Sequence, residues 1–132
     1  MSEQNEVNFV LVPTMTPREL VSLLLTRFPT VRDRVCADED SFEDPFRVYD
    51  RFAEIVRERA GDSQFIQSAV RFIDELAESK GSLTREVLMA SLLEGIAGDE
   101  QFARTISCSI SPRAKSLLHQ VERSFYLRNP SE

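Results

Sequence analysis

Apolar and polar positions recur along most of this chain with the period of an α-helix, and residues 83–97 form its most apolar segment. A narrow polar sector remains on the helical wheel of this segment, comprising Thr84, Ser91, Glu94 and Gly95. A helix that is apolar around most of its circumference is normally buried. Ser82 is placed to cap the start of this helix, and Gly98 to end it in a left-handed conformation. The pattern therefore predicts a central helix packed among other helices.

The first half of the chain carries two further helix start signals, each a capping side chain followed by a proline. In the first, Thr16 precedes Pro17, and Glu19 completes a capping box with Thr16. Pro29 ends this helix because the residue before a proline disfavours the helical conformation. Thr30 is placed to cap a short second helix. The predicted buried face of the first helix comprises Leu20, Val21, Leu24, Leu25 and Phe28.

The second signal, Asp44 followed by Pro45, opens a helix that divides regularly into an apolar half and a polar half. The apolar half comprises Phe46, Val48, Tyr49, Phe52, Ala53, Ile55 and Val56. Gly61 and Asp62 mark a tight turn and the cap of a further helix, which extends to about residue 80. A short connection at Gly81 makes the central helix an antiparallel neighbour of that helix.

Two helices are predicted after the central one, a brief helix over residues 99–106 and a last helix that begins after Ser111. The predicted fold is all-α, a compact bundle of five to six helices in a single domain, 1–132. It has a short extended N-terminal arm (1–13) and a frayed tail (127–132). The predicted core comprises Phe52, Phe65, Phe72, Ile73, Leu88, Leu92 and Ile96.

The N-terminal arm contains a short apolar run, VNFVLV at residues 7–12, whose β-branched residues favour an extended conformation. We expect this run to lie across the helices and bury Phe9 and Leu11, because no second strand signal is close enough to pair with it. The alternative is an edge that pairs with a second copy of the chain or with a partner.

Composition and charge narrow the classes of partner. The chain has 132 residues, of which 42% are hydrophobic and 29% charged, which is ordinary for one globular domain. A net charge of −6 argues against nucleic acid and anionic membranes as partners and suits a basic protein. The first residues lack the pattern of a signal peptide, and no apolar run is long enough to span a bilayer, so we expect a cytoplasmic location. In that compartment Cys36 and Cys108 are expected to be free thiols.

A search for chemistry in the sequence finds little. The chain has four glycines and no glycine-rich phosphate loop. Its one histidine, His119, has no other Cys or His near it in the sequence, whereas a zinc site needs several such ligands. We therefore expect no enzyme activity, no metal and no cofactor. A small-molecule pocket formed by several helices would leave no signal in the sequence.

Residues 38–44, DEDSFED, form the most unusual stretch of the chain. Their spacing lacks the central glycine and terminal glutamate of a calcium-binding loop. One interpretation is a solvated acidic loop, which is what most charge runs are; a second is that the nearby Arg47, Arg51 and Arg57 bind these acids internally. A third is a docking surface for a basic protein, with charge that steers the partner and an aromatic anchor. The candidate partner-binding residues are Asp38, Glu39, Asp40, Phe42, Glu43 and Asp44.

Four segments, LLTRFPTVRD, PFRVYDRFAEIVRE, VRFIDELAESKG and VLMASLLEGIAGDEQF, resemble a family of small bacterial helical domains. The resemblance covers roughly residues 18–126 and carries no catalytic motif. Members of that kind often occur near polymorphic toxins and look like immunity proteins. The resemblance implies an all-α domain that binds, and thereby neutralises, a protein toxin. It supplies no binding residues that map onto this chain.

The expected function is therefore that of a cytoplasmic immunity protein, a toxin inhibitor that binds its cognate toxin through a charged surface. The alternative is a structural homo-oligomer or adaptor without a toxin partner, in which the central helix or residues 7–12 pair between copies. The expected state is a monomer or a homodimer.

Overall fold

The computed structural model describes the backbone of residues 15–128 and the side chains of residues 15–124. Regular structure in that part of the chain is entirely helical, which confirms the all-α prediction. The described chain forms seven helices, slightly more than the predicted five to six. These are α1 (Pro17–Arg27), α2 (Arg32–Val35), α3 (Pro45–Glu58), α4 (Ser63–Ala77), α5 (82–97), α6 (Glu100–Ser107) and α7 (Pro112–Arg128), with 3-10 turns at Pro29–Val31 and Glu39–Glu43.

Both ends of the chain extend past the described residues. The predicted arm (1–13), with its apolar run at 7–12, lies outside them, and so do residues 129–132 of the predicted tail. Helix α7 continues through the first two residues of that tail, to Arg128.

Four of the predicted helices begin with a side-chain cap; three of these caps were expected, and the cap at Asp99 was not. At α1 the Thr16 hydroxyl accepts from the backbone N–H of Glu19 at 3.1 Å, and the backbone N–H of Thr16 donates to the Glu19 carboxylate at 2.9 Å. Aspartates cap α3, α4 and α6 by accepting from the backbone N–H three residues later; they are Asp44, Asp62 and Asp99. Each such cap typically stabilises a helix by about 1 kcal/mol.

Three other predicted helix signals are wrong. Ser82 is the first helical residue and caps nothing with its side chain, because the carbonyl of Gly81 starts the helix by accepting from Arg85 N. Gly98 stays in the right-handed region, because the Asp99 cap starts α6 directly after it and no reversal of the chain is needed. Thr30 lies inside a 3-10 turn rather than at a cap.

The core lies where α3, α4 and α7 pack around α5. Six of its seven predicted members are at most 1% exposed: Phe52, Phe72, Ile73, Leu88, Leu92 and Ile96. Phe65 is the exception, because it sits in the first turn of α4 and is half-buried. The guanidinium of Arg59 covers its ring at 4.2 Å from the ring centre. The prediction of the core is therefore confirmed except at this edge position.

Aromatic rings fill the space between α1, α3 and α4. Phe28, which follows α1, lies 4.7 Å from Phe52 and 5.6 Å from Phe72 between ring centres. Phe72 also stacks on Tyr49 with ring centres 6.1 Å apart. Tilted and edge-on ring pairs at these distances add stabilisation beyond the area that they bury. This cluster joins α1 to the consecutive helices α3 and α4.

Three of the four residues in the polar sector predicted for the central helix face inward, and the fourth, Glu94, is half-buried. Thr84 and Ser91 are only 3% and 2% exposed, and Gly95 lies against Ala53 of α3. A β-carbon built on Gly95 would lie 2.6 Å from the Ala53 β-carbon. The absence of a side chain at Gly95 lets α3 approach α5 closely, and Arg57 of α3 donates a hydrogen bond to the Gly95 carbonyl. Size rather than polarity therefore decides which side of α5 packs on α3.

The middle of α5 is π-helical. Its three consecutive segments are α-helical Ser82–Val87, π-helical Leu88–Leu93 and α-helical Glu94–Ala97. A π-helical turn holds more residues than an α-helical turn and shifts the faces of the helix that follow it. Leu88, Leu92 and Leu93 are fully buried in this segment, whereas Met89 is half-buried and Ala90 is exposed.

Tyr49 links α3 to α1 through a buried hydrogen bond, in which its hydroxyl donates to the Leu20 carbonyl at 2.8 Å. Burial raises the pKa of the Tyr49 phenol well above its usual range. We expect Tyr49→Phe to lower the free energy of unfolding by about 1 kcal/mol, which is typical for one lost hydrogen bond. Urea denaturation followed by circular dichroism measures this change.

The matched control for Tyr49 is Thr26→Val. It removes an exposed hydroxyl that also donates to a backbone carbonyl, that of Ser22, at 2.9 Å. Water replaces an exposed hydrogen bond, so this variant is expected to lose less than half as much stability. Equal losses in the two variants would contradict a special role of the buried hydroxyl.

Candidate binding site

Two surfaces of the molecule are candidates for binding a partner: the acidic segment 38–44 and a groove along α5. The acidic segment is a 3-10 turn rather than an irregular loop. Asp38 caps this turn, because its carboxylate accepts from the backbone N–H of Ser41 at 3.2 Å and from the Ser41 hydroxyl at 3.3 Å. Asp44 caps α3. Two of the six predicted site residues therefore have a structural role.

Arginines of α1 and α2 hold two further residues of the acidic segment. Glu43 forms an ion pair with Arg18 at 2.7 Å, in which both side chains remain more than half exposed. The half-buried ring of Phe42 lies 5.5 Å from the guanidinium of Arg18 and 5.3 Å from that of Arg32. The internal pairing weighed from the sequence thus exists, but with these arginines in place of Arg47, Arg51 and Arg57.

Glu39 and Asp40 are the most available carboxylates of the segment. Both are exposed, and no ion pair within the described residues involves them. An acidic docking surface at this segment would therefore rest on these two side chains, with the edge of Phe42 beside them.

Two roles are assigned within this segment, exposed charge at Glu39 and Asp40 and a structural cap at Asp38, and substitutions distinguish them. We expect the double variant Glu39→Lys/Asp40→Lys to change the free energy of unfolding by less than about 0.5 kcal/mol, because substitutions at exposed positions without a structural role change stability little. Asp38→Ala is expected to cost about 1 kcal/mol, because it removes a cap. Chemical denaturation of the two variants measures both values, and a larger loss in the double variant would contradict these assignments.

The second candidate is a groove of about 860 Å³ between the start of α3, the outer face of α5 and the C-terminal half of α7. It is open to solvent, and the exposed surface that lines it is mostly apolar. Its lining comprises Phe46, Lys80, Ser82, Arg85, Glu86, Met89, Ala90, Glu94, Gln120, Val121 and Ser124. Its floor is formed by residues of α5 between Ser82 and Glu94.

Phe46 is the apolar wall of this groove. It belongs to the apolar half of α3 predicted from the sequence, yet it is 36% exposed and is the one exposed large hydrophobic side chain among the described residues. The remaining six members of that half are buried. Phe46 differs because it lies in the first turn of α3, where the groove separates it from α7.

Negative charge accumulates along α3 beside the groove. Asp50 is exposed as a whole residue, but partial burial of its carboxyl group raises the pKa of that group above its usual range, and a hydrogen bond with Ser91 acts in the opposite direction. The negative charges of Glu94, Glu54 and Asp44 raise this pKa further. Asp50 and Glu54 lie one and two turns after Phe46 on α3, next to the groove but not in its lining; we call this pair the acidic ridge.

Positive charge lies near the other end of the groove, at Lys80 and Arg85. Arg85 also donates a hydrogen bond to the Ser79 carbonyl at 3.4 Å. The groove therefore has an apolar floor and charges of opposite sign along its length.

The nucleophilic and metal-binding residue types lie apart from one another. His119 is exposed on α7, Cys36 is half-buried after α2, and Cys108 is exposed after α6; both thiols are free, as expected. In the described part of the chain, no three His, Cys, Asp or Glu side chains are grouped so as to hold a metal ion. None of the helices within residues 15–128 combines the length and apolar character needed to cross a membrane.

The sequence alone missed the groove. Phe46 was expected in the apolar half of α3 and Met89 among the buried residues of the central helix, but Phe46 is exposed and Met89 is half-buried; Val121 is buried as expected, at the side of the groove. One signal for the groove exists in the sequence: Thr84, Ser91 and Gly95 fall on one side of a helix, and small residues mark the side on which another helix packs closely. Residues 82, 86, 89 and 90 then face outward.

No known protein family, curated protein or solved structure matches this chain.

Proposed function

We propose that this chain is a protein-binding module and, as the family resemblance implies, a cytoplasmic immunity protein that neutralises a cognate bacterial toxin. The observation that carries the proposal is the open groove along α5, with the exposed ring of Phe46 at its wall. Exposed apolar surface that is bordered by charge is typical of protein interaction sites. The acidic ridge at Asp50 and Glu54 and the exposed Glu39 and Asp40 suit a basic partner.

A neutralisation assay tests this function. The toxin encoded beside the gene is expressed in bacteria with the full chain, with Phe46→Ala, and with Gln101→Ala as an exposed control on α6. We expect the full chain and the control to restore growth and to copurify with the toxin in a fixed ratio. Phe46→Ala is expected to protect less. Absence of both protection and a stoichiometric complex with the full chain would overturn the proposed function.

A homo-oligomer is the second candidate, and exposed Phe46 is the observation that favours it, because a second copy would cover this ring. Light scattering on the full chain over a hundredfold range of concentration decides between the two. A dimer that Phe46→Ala converts to a monomer would support the homo-oligomer. A monomer at all concentrations would leave the groove for a different protein.

A further inference from the structure

We propose that the groove binds an amphipathic helix of the partner protein, with apolar side chains against Phe46, Met89 and Val121 and with Lys or Arg residues over the acidic ridge. This inference rests on the proposed function, because it takes the partner to be a protein. It adds the conformation of the bound segment, its pattern of apolar residues and the sign of its charge.

The dimensions of the groove suit a helix. Its floor runs along α5 from Ser82 to Glu94, which is about 18 Å at the helical rise of 1.5 Å per residue. A helix of three turns has the same length and presents apolar side chains at positions i, i+3 or i+4, and i+7 on one face. Binding of such a face in an apolar groove is a recurring mode of peptide recognition. The openness of the groove along its length favours this occupant over an enclosed small molecule.

Two walls and a floor supply the apolar contacts. Phe46 rises from α3 on one side, and Val121 lies on α7 on the other, next to Gln120 and Ser124. Met89 is half-buried on the floor, and its flexible side chain adapts to different apolar partners. These three side chains come from α5 and from α3 and α7, which both pack on it, so the groove is already formed before a partner arrives.

The carboxylates beside the groove favour a partner helix with positively charged side chains. Asp50 and Glu54 are exposed on α3, and Asp50 is surrounded by further carboxylates, those of Glu94 and Asp44 among them. Arg47 and Arg51 of α3 are close to them in sequence, but neither forms an ion pair with Asp50 or Glu54. The cations that line the groove, Lys80 and Arg85, lie near its other end. A Lys or Arg of the partner placed over Asp50 would relieve the repulsion among these carboxylates. An acidic helix would increase it.

The direct test uses fluorescent model peptides and the full chain. The first peptide is an amphipathic helix with a leucine stripe and Lys at its polar positions. The second has Glu at those positions, and the third has the composition of the first in an order that breaks the stripe. Fluorescence anisotropy is expected to show at least tenfold tighter binding of the first peptide than of either other peptide. Equal affinity for the first and third peptides would overturn the proposal.

Substitutions in the full chain then locate the binding. Phe46→Ala is expected to weaken binding of the Lys peptide at least tenfold, and Phe46→Leu to restore most of it. Asp50→Lys is expected to weaken the Lys peptide and strengthen the Glu peptide, and Glu54→Lys gives the same readout should Asp50→Lys fail to fold. Asp33→Lys, the same charge change at an exposed position of α2 outside the groove, is the matched control. An equal loss with this control would overturn the groove as the site.

Hydrogen exchange on the toxin complex separates this inference from the proposed function. Protection of residues 82–94 supports both. Neutralisation with protection confined to residues 38–44 overturns the groove and leaves the immunity function standing. Peptide binding in the groove without neutralisation overturns the immunity function alone. If Phe46→Ala abolishes a dimer of the full chain, the groove is filled by a second copy, and the helix of a different protein is excluded.

Discussion

Replacing Phe52 with alanine is expected to lower the free energy of unfolding by about 3–5 kcal/mol, the usual cost of removing a buried aromatic ring. Phe52 is 0% exposed and contacts Phe28, Phe65 and Phe72, with ring centres between 4.7 and 6.3 Å away. The helices that surround it also hold the rest of the core, so the cavity cannot close without moving them. Because small domains are stable by only about 5–15 kcal/mol, this one change threatens the fold.

Urea denaturation followed by circular dichroism measures the effect, with Phe65→Ala as the matched control. Phe65 is the same residue type in the same aromatic cluster, but it is half-buried, and water and Arg59 can reach the space that its ring leaves. We expect it to lose at most half as much stability as Phe52→Ala. Similar losses at the two positions would show that the cluster is not centred on Phe52.

The substitution Gly95→Ala is expected to destabilise the protein by about 1–2 kcal/mol, which is within the usual range for overpacking a core. At an unconstrained helix position the same change would stabilise by about 1 kcal/mol, so the sign of the effect tests the packing. The added β-carbon would lie 2.6 Å from the β-carbon of Ala53, which is too close for two carbon atoms. Helix α3 or α5 has to move, and both belong to the core.

A swap of the two residues provides the strongest control. The double variant Ala53→Gly/Gly95→Ala places a single β-carbon between the helices again, so it is expected to be more stable than Gly95→Ala alone. Residues in contact show coupling energies of about 0.5–3 kcal/mol in such cycles. Gly61→Ala serves as the open control, because its added β-carbon meets nothing within 4 Å. Additive effects at positions 53 and 95 would contradict the close contact.

Local signals in the sequence predicted much of the fold. The capping box at Thr16 and the aspartates before α3, α4 and α6 locate helix starts, because a cap needs only residues within one turn. The regular apolar half of α3 predicts its buried side correctly at every position except Phe46. These features depend on neighbours in sequence, which a helical wheel represents well.

Features that depend on several helices at once were not predicted. The wheel assigns sides by polarity, but Thr84 and Ser91 are buried, and Gly95 packs directly against Ala53 of α3. The π-helical turn at Leu88–Leu93 also shifts faces that a regular wheel keeps fixed. The groove exists because α3 and α7 stand apart at one end of α5, and no single segment of sequence encodes that distance.

The acidic segment illustrates an intermediate case. Its charge was visible in the sequence, and so was the cap at Asp44. The ion pair of Glu43 with Arg18 and the arginines around Phe42 join residues from α1 and α2, which lie nearby only after folding. Composition therefore located the charge, and the tertiary structure decided which carboxylates stay available.

One helix, α5, presents a side to the core and a side to the groove. Mass action then links occupancy of the groove to the folding equilibrium, because a partner held by α5 binds the native chain and not the unfolded one. A partner present at a hundred times its dissociation constant would add about 2.7 kcal/mol to the free energy of unfolding. A cell that produces this chain together with its partner would thus protect both from proteolysis, and loss of the partner would shorten the lifetime of the chain.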